Sequence, residues 1–175
     1  ISKTFQLDLG SIENDKIIFS SNNKFSFKLS KKFKFSNINA NSKFNIESLE
    51  YSNSILKEFF PGYKNEVKFE NNVINLDYQN GNYKMSGDSK LNVNEDIDSL
   101  SYSIERAKDK IFFKTDFEVK SNALNFELLN YKKKKDVKSN LIVEGIVNKN
   151  NSVFLNKINF AESKNLIKIK NINLK

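Results

Sequence analysis

The 175-residue sequence has no cysteine, no histidine and no tryptophan, and only one proline, one methionine and five glycines. Without cysteine there is no disulfide framework and no thiolate metal site. Without histidine the chain lacks the commonest general base, the commonest metal ligand and the usual pH switch. No nucleophile–base constellation can be assembled, so the chain reads as non-enzymatic and without cofactor. Arginine, the best reader of phosphates and bases, occurs once, at Arg106. The densest lysine run, Lys132 to Lys135, has no aromatic interleaved with it. Both points argue against a nucleic-acid partner. No run approaches the roughly 18 apolar residues of a spanning helix, and no signal peptide is visible. The chain begins Ile-Ser-Lys and reads as a segment of a longer protein, with any anchor upstream.

What is present is an ordered apolar pattern. Hydrophobic residues make up 38% of the chain, sixteen of them phenylalanine, and the net charge is +8. Basic charge attracts nucleic acid, anionic membrane or anionic lipid, although lysine is also the plain polar half of an alternating strand. Four segments share one spacing of apolar residues: Phe33, Phe35, Ile38, Ala40; Phe44, Ile46, Leu49, Tyr51; Leu124, Phe126, Leu129, Tyr131; and Ile167, Ile169, Ile172, Leu174. Strict alternation gives a strand with one apolar face. The extra residue in mid-segment would turn the second half to the wrong face unless a β-bulge absorbs it and bends the strand. Bent strands with one apolar face build a curled sheet whose inside can hold apolar matter.

Alternation covers most of the rest. Phe5, Leu7 and Leu9 open it, and Glu13 to Asp15, Ser20 to Asn23 and Asn39 to Ser42 read as turns, because Asn and Ser side chains bond nearby backbone. Further strands are expected at 66–69, 73–78, 83–86, 100–104, 111–119, 139–147 and 152–160. Asn80-Gly81 is a hairpin signal. Ser54 to Phe60 departs from the habit, with Ile55, Leu56, Phe59 and Phe60 at helical spacing between a capping serine and Pro61-Gly62. It predicts a short helix that plugs one end of the sheet or packs on it as core. The lysine run 132–135 reads as a solvated hairpin tip. Asn94 to Asp98 reads as a solvated turn, since it lacks the glycine and distal glutamate of a calcium loop. The links are too short for parallel crossovers, so the fold class is all-β: a long antiparallel meander curled into a taco-like groove or half-barrel, with one short helix near 54–60. It is one all-β segment over 1–175, with 1–53 and 54–175 as candidate sub-units.

The run from Leu56 to Leu174 resembles the AsmA-like family, in particular its YhdP-type branch of bacterial envelope proteins. The matching stretches are FFPGYKNEVKF, NLDYQNGNYKMSGD, SLSYSI, FELLNYKKKKDVKSNLIVEG and INFAESKNLIKIKNINL. The resemblance implies a periplasmic segment of a protein anchored in the inner membrane by a helix outside this chain. It implies repeated β-units curled into a β-taco trough that carries phospholipid between the inner and outer membranes. The implied partners are phospholipid, adjoining segments of the same long protein, and the membrane through that anchor. The residues expected to line the trough are Phe33, Phe35, Phe44, Ile46, Leu49, Tyr51, Phe113, Phe117, Leu124, Phe126, Leu129, Ile167, Ile169 and Ile172. The alternative is a structural or adhesive β-sandwich whose apolar face closes on itself.

Overall fold

In the computed structural model the described residues are 12–52, 56–64, 66–127 and 130–174, the side chains of 12–16 excepted. They form β1 (Ile12–Leu29), β2 (Phe35–Tyr51), α1 (Leu56–Phe59), β3 (Val67–Gln79), β4 (Asn82–Val93), β5 (Asp96–Ala107), β6 (Lys110–Val119), β7 (Leu124–Phe126), β8 (Tyr131–Lys133), β9 (Ser139–Asn148), β10 (Val153–Glu162) and β11 (Asn165–Leu174). The class is all-β, as the alternation predicts. Nine strands make one antiparallel sheet in the order β1-β2-β3-β4-β5-β6-β9-β10-β11, and β7 pairs with β8 apart from it. β1 and β11 do not pair with each other, so the sheet is open and is not a barrel. β2 pairs with β3 from Asn39–Gln79 to Tyr51–Val67, so the sheet runs unbroken past residue 53. Asn80 and Gly81 both take positive φ, 48° and 89°, as a primed hairpin turn requires.

Three of the four repeats are bulged strands. In the first, β2 slips against β1 between Ser26 and Lys28, and Asn37 has φ 51°. In the second, β2 slips against β1 where Ile18 and Phe19 face Ser48 and Ile46. β3 slips against β4 between Glu70 and Val73 at the same level, with Asn71 at φ 51°. In the fourth, β10 slips against β9 between Leu155 and Lys157, and Asn171 of β11 has φ 60°. β2 keeps register with β3, and β10 with β11, so each of these last two irregularities crosses a strand pair. The central strands β4, β5, β6 and β9 pair with one another without a slip. Bulges bend strands and raise twist, so the sheet bends on both flanks of a regular centre.

Several expectations are corrected. The third repeat is a hairpin: Leu124 and Phe126 lie on β7, Tyr131 on β8, and the Asn130 N–H donates to the Glu127 carbonyl at 2.9 Å. β7 pairs with β8 alone and lies outside the nine-stranded sheet, so this repeat spans a hairpin where the others form a bulge. Ser20 to Asn23 lies inside β1 and Asn39 to Ser42 inside β2, each held by cross-strand pairing that overrides turn propensity. Glu13 to Asp15 falls within the bounds of β1 but in the irregularity between Ile12 and Ile17, where no residue of β2 is in register with it. Phe33 stands in a turn before β2 begins. Phe5, Leu7, Leu9, Ser54, Ile55 and Leu129, and what is expected of them, lie outside the described residues.

The short helix is present as α1; it buries no residue of its own, but Leu56 packs against the core and Phe60, just past the helix, is buried at one end of the sheet. Phe60 meets Phe117 and Phe59 meets Phe126 edge to face, while Phe126 and Tyr131 meet Phe160. With Tyr63 and Leu124 they cover Val67, Leu91, Val93, Val119 and Phe160. A buried side chain of this kind contributes about 1.5–3 kcal/mol.

A buried polar knot fastens that plug, and it takes one residue out of each of two expected solvated turns: Asn94 and Glu95 do form a turn, and Lys132, Lys134 and Lys135 are exposed, but Asp98 and Lys133 are buried. Asp98 is 4% exposed. Its Oδ1 accepts the N–H groups of Lys120 at 2.7 Å and Ser121 at 2.8 Å, and its Oδ2 accepts the backbone and side-chain N–H groups of Asn122 at 3.0 and 2.9 Å. Lys133, in the run expected to be a hairpin tip, is 2% exposed. Its ammonium donates to the carbonyls of Lys120 at 3.1 Å, Asn122 at 2.6 Å and Lys134 at 2.9 Å. Burial pushes its pKa down, and the nearby Asp98 charge partly offsets this. The corner at 120–122 is thus tied to β5 through Asp98 and to the β7–β8 hairpin through Lys133.

Candidate functional site

Pairing register divides the sheet into two chemically distinct faces, because directly paired residues project to the same side. One face carries Phe44 opposite Ile74, Leu76 opposite Met85, Met85 opposite Ile104, Ile104 opposite Phe113, Val143 opposite Ile158, and Ile158 opposite Ile169. The apolar face therefore runs across the sheet from β2 to β11. The other face is mainly charged and polar, apart from Phe112, Ile146 and Phe154, which pair across β6, β9 and β10. Lys68 bridges Glu50 at 3.0 Å and Glu66 at 3.4 Å, and Glu144 receives Lys114 at 3.3 Å and Lys157 at 3.5 Å. Asn140 donates to Asp116 at 2.9 Å, and Asn41 donates to Asp77. Burial alone would raise the Glu144 carboxyl, but its two lysines together hold it below the ordinary value.

α1 and the β7–β8 hairpin cover the apolar face at one end only. Toward the other end, Phe44, Ile74, Leu76, Met85, Ile104, Phe113, Val143, Leu155 and Ile169 are half-buried, and no second layer of strands is packed over them among the described residues.

Two glycines lower the floor of the uncovered face. Gly87 pairs with Tyr102, and Gly145 with Phe113. Each ring lies over its glycine: a Cβ on Gly87 would stand 2.6 Å from the Tyr102 ring, and one on Gly145 would stand 2.7 Å from Phe113 Cζ. The Tyr102 hydroxyl donates to Asn72 at 3.4 Å, and burial raises its pKa. Near the strand ends away from the plug, a depression of about 730 Å³ is bounded by residues that include Phe25, Tyr78, Tyr83 and Arg106.

The residues expected to line a trough fall into three groups. Phe44, Ile46, Leu49, Tyr51, Phe113, Ile167, Ile169 and Ile172 share the apolar face by register. Phe117, Leu124 and Phe126 belong to the plugged end, where Phe117 and Leu124 are buried. Phe33 and Phe35 sit at the tip of the β1–β2 hairpin. Ile74, Leu76, Met85, Ile104, Val143 and Leu155 also lie on the uncovered face. Their alternation identifies their strands, but attention to the bulged repeats alone passes over them as lining. Among the described residues no group of histidine, cysteine or carboxylate side chains is placed to hold a metal ion, and no helix is long and apolar enough to cross a membrane. No protein-family model, curated protein or solved structure matches this chain.

Proposed function

We propose that this chain is a non-enzymatic lipid-carrying segment, whose uncovered apolar face is the floor of a taco-like trough for phospholipid acyl chains. The observation that carries the reading is the apolar face that crosses the sheet and is capped at one end only. Soluble monomers rarely leave apolar patches above a few hundred Å² open, so this face calls for an apolar occupant. Nine strands at about 4.8 Å spacing span roughly 38 Å, more than the ~15 Å depth of one leaflet's hydrocarbon. An acyl chain can therefore lie wholly on the face. Burial of eight methylenes supplies about 6 kcal/mol, a dissociation constant of about 50 µM, without any specific polar contact. Weak, uniform binding of this kind suits passage along a trough. The resemblance to the AsmA-like family adds the setting: a periplasmic segment of an inner-membrane-anchored protein that moves phospholipid between the inner and outer membranes.

A second reading is a structural or adhesive envelope segment, in which the sheet of another segment covers the face. Among the described residues β1 and β11 each pair on one side only, which favours it, since an unpaired edge invites strand addition. Native mass spectrometry of the chain purified from a bacterial envelope separates the two. Bound phospholipid is expected, reduced at least tenfold in Ile104→Asp with the strand circular-dichroism signal unchanged. A lipid-free monomer, or a dimer in which the face is closed, would favour the second reading.

A further inference from the structure

The β1–β2 hairpin runs past the end of β3: β3 stops at Gln79 opposite Asn39, whereas β2 continues to Phe35 and pairs there with Leu29. The projecting tip is two-faced. Phe25, Phe27, Leu29 and Phe35 share one side, with Phe27 and Phe35 in edge-to-face contact at 5.0 Å, and Lys24 and Lys28 alternate onto the other. The four phenylalanines Phe25, Phe27, Phe33 and Phe35 are 69%, 54%, 81% and 61% exposed. Together they present roughly 500 Å² of apolar surface, at the upper end for the largest patch of a typical monomer.

Three hydrogen bonds hold the turn at the tip. The Ser30 N–H donates to the Lys34 carbonyl at 3.0 Å, the Phe33 N–H donates to the Ser30 carbonyl at 2.9 Å, and the Lys34 N–H donates to Ser30 Oγ at 3.0 Å. Phe33 is held there with φ 56°, a left-handed conformation that a bulky aromatic side chain adopts at a local penalty and that glycine or asparagine adopts readily. Neither folding nor packing accounts for phenylalanine at this position. Its ring is the most exposed of the large hydrophobic side chains described, and the turn around it carries Lys31, Lys32 and Lys34. Between Asp15 and Glu47 there are seven lysines (Lys16, Lys24, Lys28, Lys31, Lys32, Lys34, Lys43) and no acidic residue. Elsewhere Lys68, Lys114 and Lys138 are paired with carboxylates across strands.

We infer that the β1–β2 tip docks on an anionic lipid surface, with the Phe33 ring and its apolar neighbours entering the interface and the tip lysines contacting headgroup phosphates. Exposed aromatics beside unpaired-sign lysines match the two attractions that hold a peripheral element on such a surface. The inference does not depend on whether the apolar face of the sheet carries acyl chains. The tip stands at the end of the sheet opposite to α1, so docking would turn the uncovered end of the face toward the bilayer.

Co-sedimentation with vesicles of equal parts phosphatidylglycerol and phosphatidylcholine tests it, with pure phosphatidylcholine vesicles as the comparison. The chain is expected to bind the anionic vesicles and to weaken as salt rises. Each lysine near the surface is worth about fivefold in partitioning, so Lys31→Gln with Lys32→Gln is expected to weaken binding about 25-fold. Phe33→Asn relieves the left-handed backbone and is expected to fold at least as stably, yet to bind at least tenfold more weakly. Absence of binding to anionic vesicles overturns the inference, as does Phe33→Asn binding like the parent. A concentration-dependent dimer that Phe33→Asn abolishes, without vesicle binding, overturns it in favour of a second copy of the chain.

Discussion

Asp98→Ala is expected to lower stability by about 4 kcal/mol and the melting temperature by about 12 °C, the larger part of which Asp98→Asn should also show. The carboxylate is buried and receives four N–H groups from the corner at 120–122. Alanine leaves those donors without their acceptor, and removes the negative charge that acts most strongly on the buried Lys133 ammonium. Loss of one member of such a buried charged set costs about 3–5 kcal/mol, and for a chain of this length each kcal/mol moves the midpoint about 2–4 °C. Lys133→Met is expected to act on the same unit by orphaning three carbonyls. Because both residues serve one corner, the double variant should fall well short of the summed single effects. Thermal unfolding of the three variants by circular dichroism checks this. Additive effects would mean that the two side chains act separately.

Gly145→Ala is expected to destabilise the fold by about 2–3 kcal/mol and Gly87→Ala by about 1 kcal/mol, although both glycines sit under aromatic rings on the same face. The difference lies in what the new methyl meets. At Gly145 it stands 2.8 Å from the Phe154 carbonyl oxygen as well as 2.7 Å from the Phe113 ring. That carbonyl belongs to β10, whose backbone is fixed by pairing on both sides. At Gly87 the three atoms nearest to the methyl all belong to the outer end of Tyr102, which can swing away at the loss of its long hydrogen bond to Asn72. Urea unfolding of both variants gives the two values. Equal values would mean that the Phe154 carbonyl does not constrain the site.

Much of the sheet was legible from alternation, because one apolar and one polar face impose a period of two on every strand. The bulges at the first, second and fourth repeats were legible for the same reason: an inserted residue must be absorbed if Phe44, Ile46, Leu49 and Tyr51 are to share a face. Local propensity misled where pairing was extensive. Ser20 to Asn23 looks like a turn, yet a long antiparallel partner holds it extended. The same repeat spacing made a hairpin at Leu124 to Tyr131, since a turn and a bulge both consume the extra residue and only the presence of a paired neighbour decides between them. Lys133 and Asp98 were illegible, because a charge run gives no sign of which member will be enclosed by distant carbonyls. The lining was legible in kind but not in position: covering one end of the face by α1 and β7–β8 is a tertiary event. It moves Phe117 and Leu124 into core and leaves Met85 and Ile104 on the open part.

The most direct measurement is photolabelling of the chain with a phosphatidylethanolamine that bears a diazirine in its acyl chain, followed by peptide mapping. The account predicts label on the uncovered face, on peptides containing Phe44, Ile104, Phe113 and Leu155, with little at Phe117 and Leu124 under the plug. Label spread equally over both faces of the sheet, or absent from the uncovered face, would contradict it.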